Sequence, residues 1–148
     1  MAGVRFAAVT SEVATGTVTK TIMQVTAASN QRVVIDEVGV SFKGVSATDA
    51  PILVELVRQT TAGTMTALAP KKLHEGDDET LQVVSSHTAT AEPTSTDVIL
   101  SQLVHPQSGY TWQASFGRQI QVKGGNRLGL RVTASVGVNC VARMVGEE

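Results

Sequence analysis

Arg118-Gln119-Ile120-Gln121-Val122-Lys123-Gly124-Gly125-Asn126-Arg127-Leu128-Gly129-Leu130-Arg131-Val132-Thr133, resumed from Val136 to Val145, is the stretch that decides the fold class. Its apolar side chains fall at 120, 122, 128, 130, 132, 136, 138, 140, 142 and 144, all even positions. Period-2 alternation of this length describes strands with one buried and one wet face. Gly124-Gly125-Asn126 supplies residues that tolerate positive φ, as a tight hairpin turn demands. The C-terminal part is therefore expected to form an antiparallel hairpin or meander, one wall of an all-β domain.

Composition carries the same message to the rest of the chain. With 148 residues a single domain is expected. The 22 Val and 18 Thr are β-branched and favour pleated strands. Aromatics are only 3% and charged residues 17%, so the core must be built from small branched aliphatics, which suits two sheets across a thin interior. A net charge of −1 without any basic run argues against general nucleic-acid binding. Cys140 is the only cysteine, which rules out an internal disulfide or a Cys-based zinc site. Its even parity places it on the apolar face as a small hydrophobe. The apolar run after Arg5 is too short for a signal peptide, and no segment approaches the roughly 20 apolar residues that span a bilayer. A soluble protein of cytosolic origin, with no membrane partner, is expected.

Taken in order, 4–9 reads as a first short strand and 17–26 as a Thr-rich one. Val18 and Ile22 lie on one face of the second, Met23 and Val25 on the other. That parity change suggests a bulge, or an edge open to a neighbouring chain. In 32–43, Val34, Val38, Val40 and Phe42 share a face that Asp36 interrupts, which suits a position near a sheet edge. Pro51 opens a strand with Ile52, Val54 and Leu56 inward and Glu55 and Gln59 outward. The interval 61–79 shows little periodicity, 80–85 reads as a short strand, and 86–97 has the composition of an exposed loop. A strand over 98–105, a Pro106-Gln107-Ser108-Gly109 turn and a strand over 110–116 follow. The sum is about eight or nine strands: a two-sheet antiparallel sandwich, best fitted by a jelly roll. Residues 1–12 are set apart as an arm for a partner, and 13–148 as the single domain.

Candidate chemistry is sparse. His74-Glu75-Gly76-Asp77-Asp78-Glu79 offers carboxylates to a hard cation but lacks the alternating spacing of a calcium loop, and a solvated charge run explains it as well. His74, His87 and His105 show no metal-ligand spacing, and no nucleophile elbow, P-loop or dinucleotide fingerprint is present. Neither an enzyme nor a cofactor is expected. Tyr110 and Trp112, two apart on one strand, point the same way. They read either as a stacking platform for a sugar ring or a base, or as plugs for a core short of large residues.

The tail from Gln119 to Ala134, with Val141-Ala142-Arg143-Met144-Val145-Gly146-Glu147-Glu148, resembles the jelly-roll cement (decoration) proteins of tailed bacteriophage heads. The likeness is one of pattern and covers about the last third of the chain. It implies a virion structural protein, made in the host cytoplasm, that sits on the outer capsid surface. It also implies binding across seams between major capsid protein subunits, as a small homo-oligomer (dimer or trimer). Contacts are expected from the 1–12 arm and from the 61–79 and 86–97 loops, with Arg5, Phe6, Lys71, Lys72, His74, His87 and Glu92 as the partner-binding candidates. The alternative is a carbohydrate- or receptor-binding β-sandwich that uses Tyr110 and Trp112.

Overall fold

The structure, a computed structural model, describes residues 3–43 and 50–148. In chain order the strands are β1 (Arg5–Val9), β2 (Val13–Ala14), β3 (Lys20–Thr26), β4 (Val33–Lys43), β5 (Ile52–Gln59), β6 (Thr64–Leu68) and β7 (Lys71–Lys72). They continue with β8 (Val84–Ala91), β9 (Ser95–Val104), β10 (Tyr110–Gln113), β11 (Ile120–Val122), β12 (Arg127–Thr133) and β13 (Asn139–Glu147). Thirteen strands among the described residues, not eight or nine, make two antiparallel sheets.

One sheet runs β10-β4-β13-β1-β7, with β11 also on β4 and β2 on β13; the other runs β6-β8-β3-β12-β5-β9. The pairings are those of one long hairpin rolled over on itself. β5 pairs with β9, β4 with β10 and β11, β3 with β12, and β1 with β13. Each step outward from the β5–β9 pair crosses to the other sheet, which is the jelly-roll winding of a two-sheet sandwich.

That winding corrects the expected C-terminal hairpin. The turn forms: Asn126 N–H donates to the Lys123 carbonyl at 2.9 Å, and Gly125 takes φ +83°. Yet β11 lies on β4 in one sheet and β12 between β3 and β5 in the other, so the turn carries the chain across the sandwich. The parity reading stands where the pairing does not. Ile120, Val122, Leu128, Leu130, Val132, Val138, Cys140, Ala142 and Met144 are all buried, and only Val136, on a loop, is exposed. Burial pushes the Cys140 thiol up to about 11, so at neutral pH it is an uncharged part of the core.

Two bulges explain two parity breaks. In β3, Met23 faces Leu130 and Thr21 faces Arg131, which leaves Ile22 as the extra residue. Ile22, Met23 and Val25 are then all fully buried. β3 is no edge, however; it lies between β8 and β12. In β4, Glu37 faces Val145 and Ile35 faces Gly146, so Asp36 is the extra residue. Val33 and Ile35 face the core before it, Val38 and Val40 after it, and Val34 leaves the face on which its parity placed it. Asp36 sits in a strand flanked by β13 and by β10 and β11, not near an edge, and its carboxylate accepts from Arg5 Nη2 at 2.7 Å.

The interval 61–79 carries β6 and β7, and 86–97 falls almost wholly within β8 and β9. This insertion between β5 and β9 adds β8 and β6 to the flank of β3, and β7 to the flank of β1. It thereby covers two edges on one long side of the sandwich. Glu148 ties it down, since its carboxylate oxygens accept the Gln82 and Val83 N–H groups at 2.8 and 2.7 Å. The described part of the expected arm belongs to the sheet as well. β1 lies between β13 and β7, and Phe6 and Ala8 are fully buried.

Candidate functional site

The seven residues chosen as partner contacts do not form one site. Phe6 is enclosed in the core and presents nothing outward. Arg5 is held by Asp36. Lys71 and Lys72 form β7 beside Ala7 and Phe6, and Leu73 N–H donates to the Arg5 carbonyl, so Arg5, Lys71, Lys72 and His74 gather at the β1 edge. Within that group, Lys72 Nζ donates to the Asp77 carbonyl at 2.7 Å, and His74 Nδ1 stands 3.9 Å from an Asp77 carboxylate oxygen. His87 and Glu92 belong to the other sheet. His87 Nδ1 lies 2.8 Å from the Thr88 hydroxyl, and Glu92 is spent on Thr21.

The outer face of the β12-bearing sheet holds an internal polar network. Alternation puts Ile52, Val54 and Leu56 of β5 inward, which sends Gln59 outward as expected, yet Gln59 is only 1% exposed. The segments around Thr60 and Thr94 cover it, joined by Thr60 N–H donating to the Thr94 carbonyl and Thr94 N–H donating to the Thr61 hydroxyl. Beneath them Gln24 Nε2 donates to Gln59 Oε1 at 2.7 Å, and Gln59 Nε2 donates to the Thr21 hydroxyl at 3.0 Å. That hydroxyl donates to Glu92 at 2.7 Å. Gln24, Gln59 and Thr21 thus partner one another and Glu92, as burial requires, while Arg127 Nε, on the residue paired with Gln59, is buried without a hydrogen-bond partner.

The outer face of the opposite sheet carries an ion pair between β13 and β4. Arg143 Nε donates to Glu37 at 3.2 Å above Gly39, where a Cβ would meet the guanidinium carbon at 2.5 Å. Hydrogen bonds from Gln113 and then Arg143 hold the Glu37 carboxyl below the usual carboxylate range. Lys43 and Asn139 do the same for the exposed Glu12. Tyr110 and Trp112 stand opposite Val40 and Val38 and pack against the core.

Among the described residues, no strand lies outside β9 or β10 on the remaining long side. Here the five residues 105–109 join β9, the last strand of one sheet, to β10, the last strand of the other. Val98 and Leu103 of β9 are 49% and 63% exposed. Between β10 and β11 the chain leaves β4 in a turn closed by Arg118 N–H donating to the Ser115 carbonyl at 2.9 Å. Gly117 takes φ +77° there, and Phe116 projects wholly exposed. None of this was among the sequence-derived contacts. The signal was Phe116 itself, a large apolar residue between Ser115 and Gly117.

Chemically, the described residues contain no group of three or more His, Cys, Asp or Glu positioned to hold a metal ion. What the described surface offers is unpaired backbone along the β9 edge and isolated exposed apolar side chains. No protein-family profile, no curated protein and no solved structure matches this chain.

Proposed function

We propose that this protein is a non-enzymatic virion structural protein: it binds the outer surface of an icosahedral phage capsid and stabilises contacts between major capsid subunits, acting as a homo-oligomer. The observation that carries the reading is the polarity of the sandwich. Among the described strands, one long side ends in the short β6 and β7 of the insertion, while the other ends in the ten-residue β9, which exposes Val98 and Leu103, with Phe116 projecting from the turn after β10. A rigid body with a few exposed anchors, repeated by the symmetry of a shell, gains strength through effective concentration once one contact is made. A net charge of −1 lets many copies crowd one surface without strong mutual repulsion.

The test is co-sedimentation with shells assembled from the major capsid protein encoded in the same genome. Binding that saturates at a fixed copy ratio and raises the shell's melting temperature is the expected result. Shells that leave the protein in the supernatant at high micromolar concentration overturn the reading.

A further inference from the structure

We propose that β9 is the self-association strand of this protein: two copies pair antiparallel, edge to edge, about a two-fold axis at Ser101. The idea takes from the shell-binding reading only the expectation that copies associate, and its cross-linking test needs no shell.

β9 is the most open edge among the described strands. It runs for ten residues and pairs on one side only, with β5. The other terminal strands are short or broken: β6 has five residues, β7 has two, and β10 and β11 are separated by the Phe116 turn. Protected edges carry lysines, prolines or inward charges. In Ser95-Thr96-Asp97-Val98-Ile99-Leu100-Ser101-Gln102-Leu103-Val104 the only charge is Asp97.

The occupant follows from the register. Leu103 faces Leu53, Ser101 faces Glu55 and Val98 faces Val57, with a shift that leaves Ile99 as an extra residue. Val54 and Leu56 point into the core, so Leu53, Glu55 and Val57 take the outer face, and so do their partners Leu103, Ser101 and Val98. The bulge is what brings the two exposed apolar residues onto one face.

A second β9 laid antiparallel about Ser101 places serine opposite serine, with Gln102 opposite Leu100. Leu103 then falls opposite Val98 across the bulge. Each exposed apolar side chain meets an apolar partner, and in-facing and out-facing residues stay matched. The two Asp97 carboxylates end at opposite ends of the ribbon, so no like charges oppose each other. A strand from an unrelated protein has no need of this symmetry. A strand paired with its own copy does, and an isologous contact closes at two copies without growing into a filament.

Ser101→Cys tests the axis directly. Directly opposed antiparallel residues have Cα atoms about 4.5–5.5 Å apart, within the roughly 4.4–6.8 Å range of a disulfide. The only native thiol, Cys140, is buried and does not compete. Mild oxidation of the full-length variant is expected to give a covalent dimer, while the same change at exposed Thr90 on β8 gives little. Light scattering should report a dimer for the unmodified chain and a monomer for Ser101→Asp.

A strict monomer whose Ser101→Cys variant cross-links no faster than Thr90→Cys overturns the proposal. So does a monomer in which Ser101→Asp abolishes only shell binding, because that assigns β9 to a shell strand. A Ser101-linked dimer that ignores shells would sink the capsid reading and leave this one standing.

Discussion

Glu92 stands in for a missing strand beside Thr21. Its two carboxylate oxygens accept the Thr21 backbone N–H and hydroxyl, both at 2.7 Å. The pairing of β8 with β3 ends at His87, where Thr88 takes φ +56° and turns β8 aside. For a β-branched residue that conformation is strained, and the strain opens the gap that the carboxylate fills. Thr21 is fully buried, so its N–H needs an acceptor.

Removing that acceptor should be costly. Glu92→Ala is expected to lower unfolding free energy by about 1.5–3 kcal/mol, the range for hydrogen bonds to a charged group. Glu92→Gln keeps one acceptor and should lose about half as much. Urea melts of the two variants check both values; an unchanged Glu92→Ala midpoint would show that water replaces the carboxylate without penalty.

Gly129 carries the other end of the same network. It pairs with Gln24 on one side and Val57 on the other, and a Cβ there would overlap the Gln59 carboxamide. Gly129→Ala should cost about 1–3 kcal/mol as an overpacked site. The informative measurement is a double-mutant cycle. Gln59→Ala is destabilising alone because it takes one hydrogen bond from Gln24 and one from Thr21, but it should cost far less in the Gly129→Ala background, since it also relieves the overlap. Strict additivity would place the strain elsewhere.

The described residues near the N-terminus should behave as core. Phe6 is fully buried between the sheets, and Phe6→Ala should cost about 3–5 kcal/mol. Deleting residues 1–9 removes β1 and with it the Phe6 side chain from the core and the β1 pairing of β13, which keeps only β4 and the two-residue β2, so the truncated chain is expected to lose its cooperative melt. A deleted chain with a normal melt would restore the view of a detachable arm.

How far such features were legible follows from what each signal encodes. Alternation reports which way a side chain points, and from Ile120 to Met144 it was right at every strand position. It says nothing about which strand lies alongside, so Gly124-Gly125-Asn126 reads as a hairpin turn although it carries the chain across the sandwich. β6 and β8 went unseen because Thr, Ala, Ser and His supply most of their residues, and the hydrophobic alternation that marks a strand is missing. Contact residues chosen as exposed charges turned inward to local partners: Arg5 to Asp36, Glu92 to Thr21. The open edge was hidden in plain apolar sequence, since exposure of Val98 and Leu103 depends on β9 being last in its sheet.

Acid should weaken the β4–β13 seam. Gln113 and Arg143 hold the Glu37 carboxyl below its usual value, so the charged form is favoured by folding. A lowered folded-state pKa stabilises above the unfolded value of about 4.3, and that stabilisation is lost as pH falls through the folded value. The pair is partly exposed, so its worth is under about 1 kcal/mol. Glu37→Gln should therefore be slightly less stable than the parent at pH 7, with the difference narrowing as the pH is lowered below the ordinary carboxylate range. A gap that widens on acidification would reverse the sign of the argument.

Phe116 allows binding to be tested apart from folding. The ring is wholly exposed at the tip of the turn between β10 and β11, so folding gains nothing from its burial. Phe116→Ser should leave the urea midpoint within about 0.5 kcal/mol of the parent, as for other surface changes. If the ring is an anchor in a partner's pocket, the same change should weaken shell co-sedimentation at least tenfold, which corresponds to about 1.4 kcal/mol. Loss of binding without loss of stability would mark the side bearing β9 and β10 as the working surface. A binding curve that does not move would leave β9 alone as the adhesive element on that side.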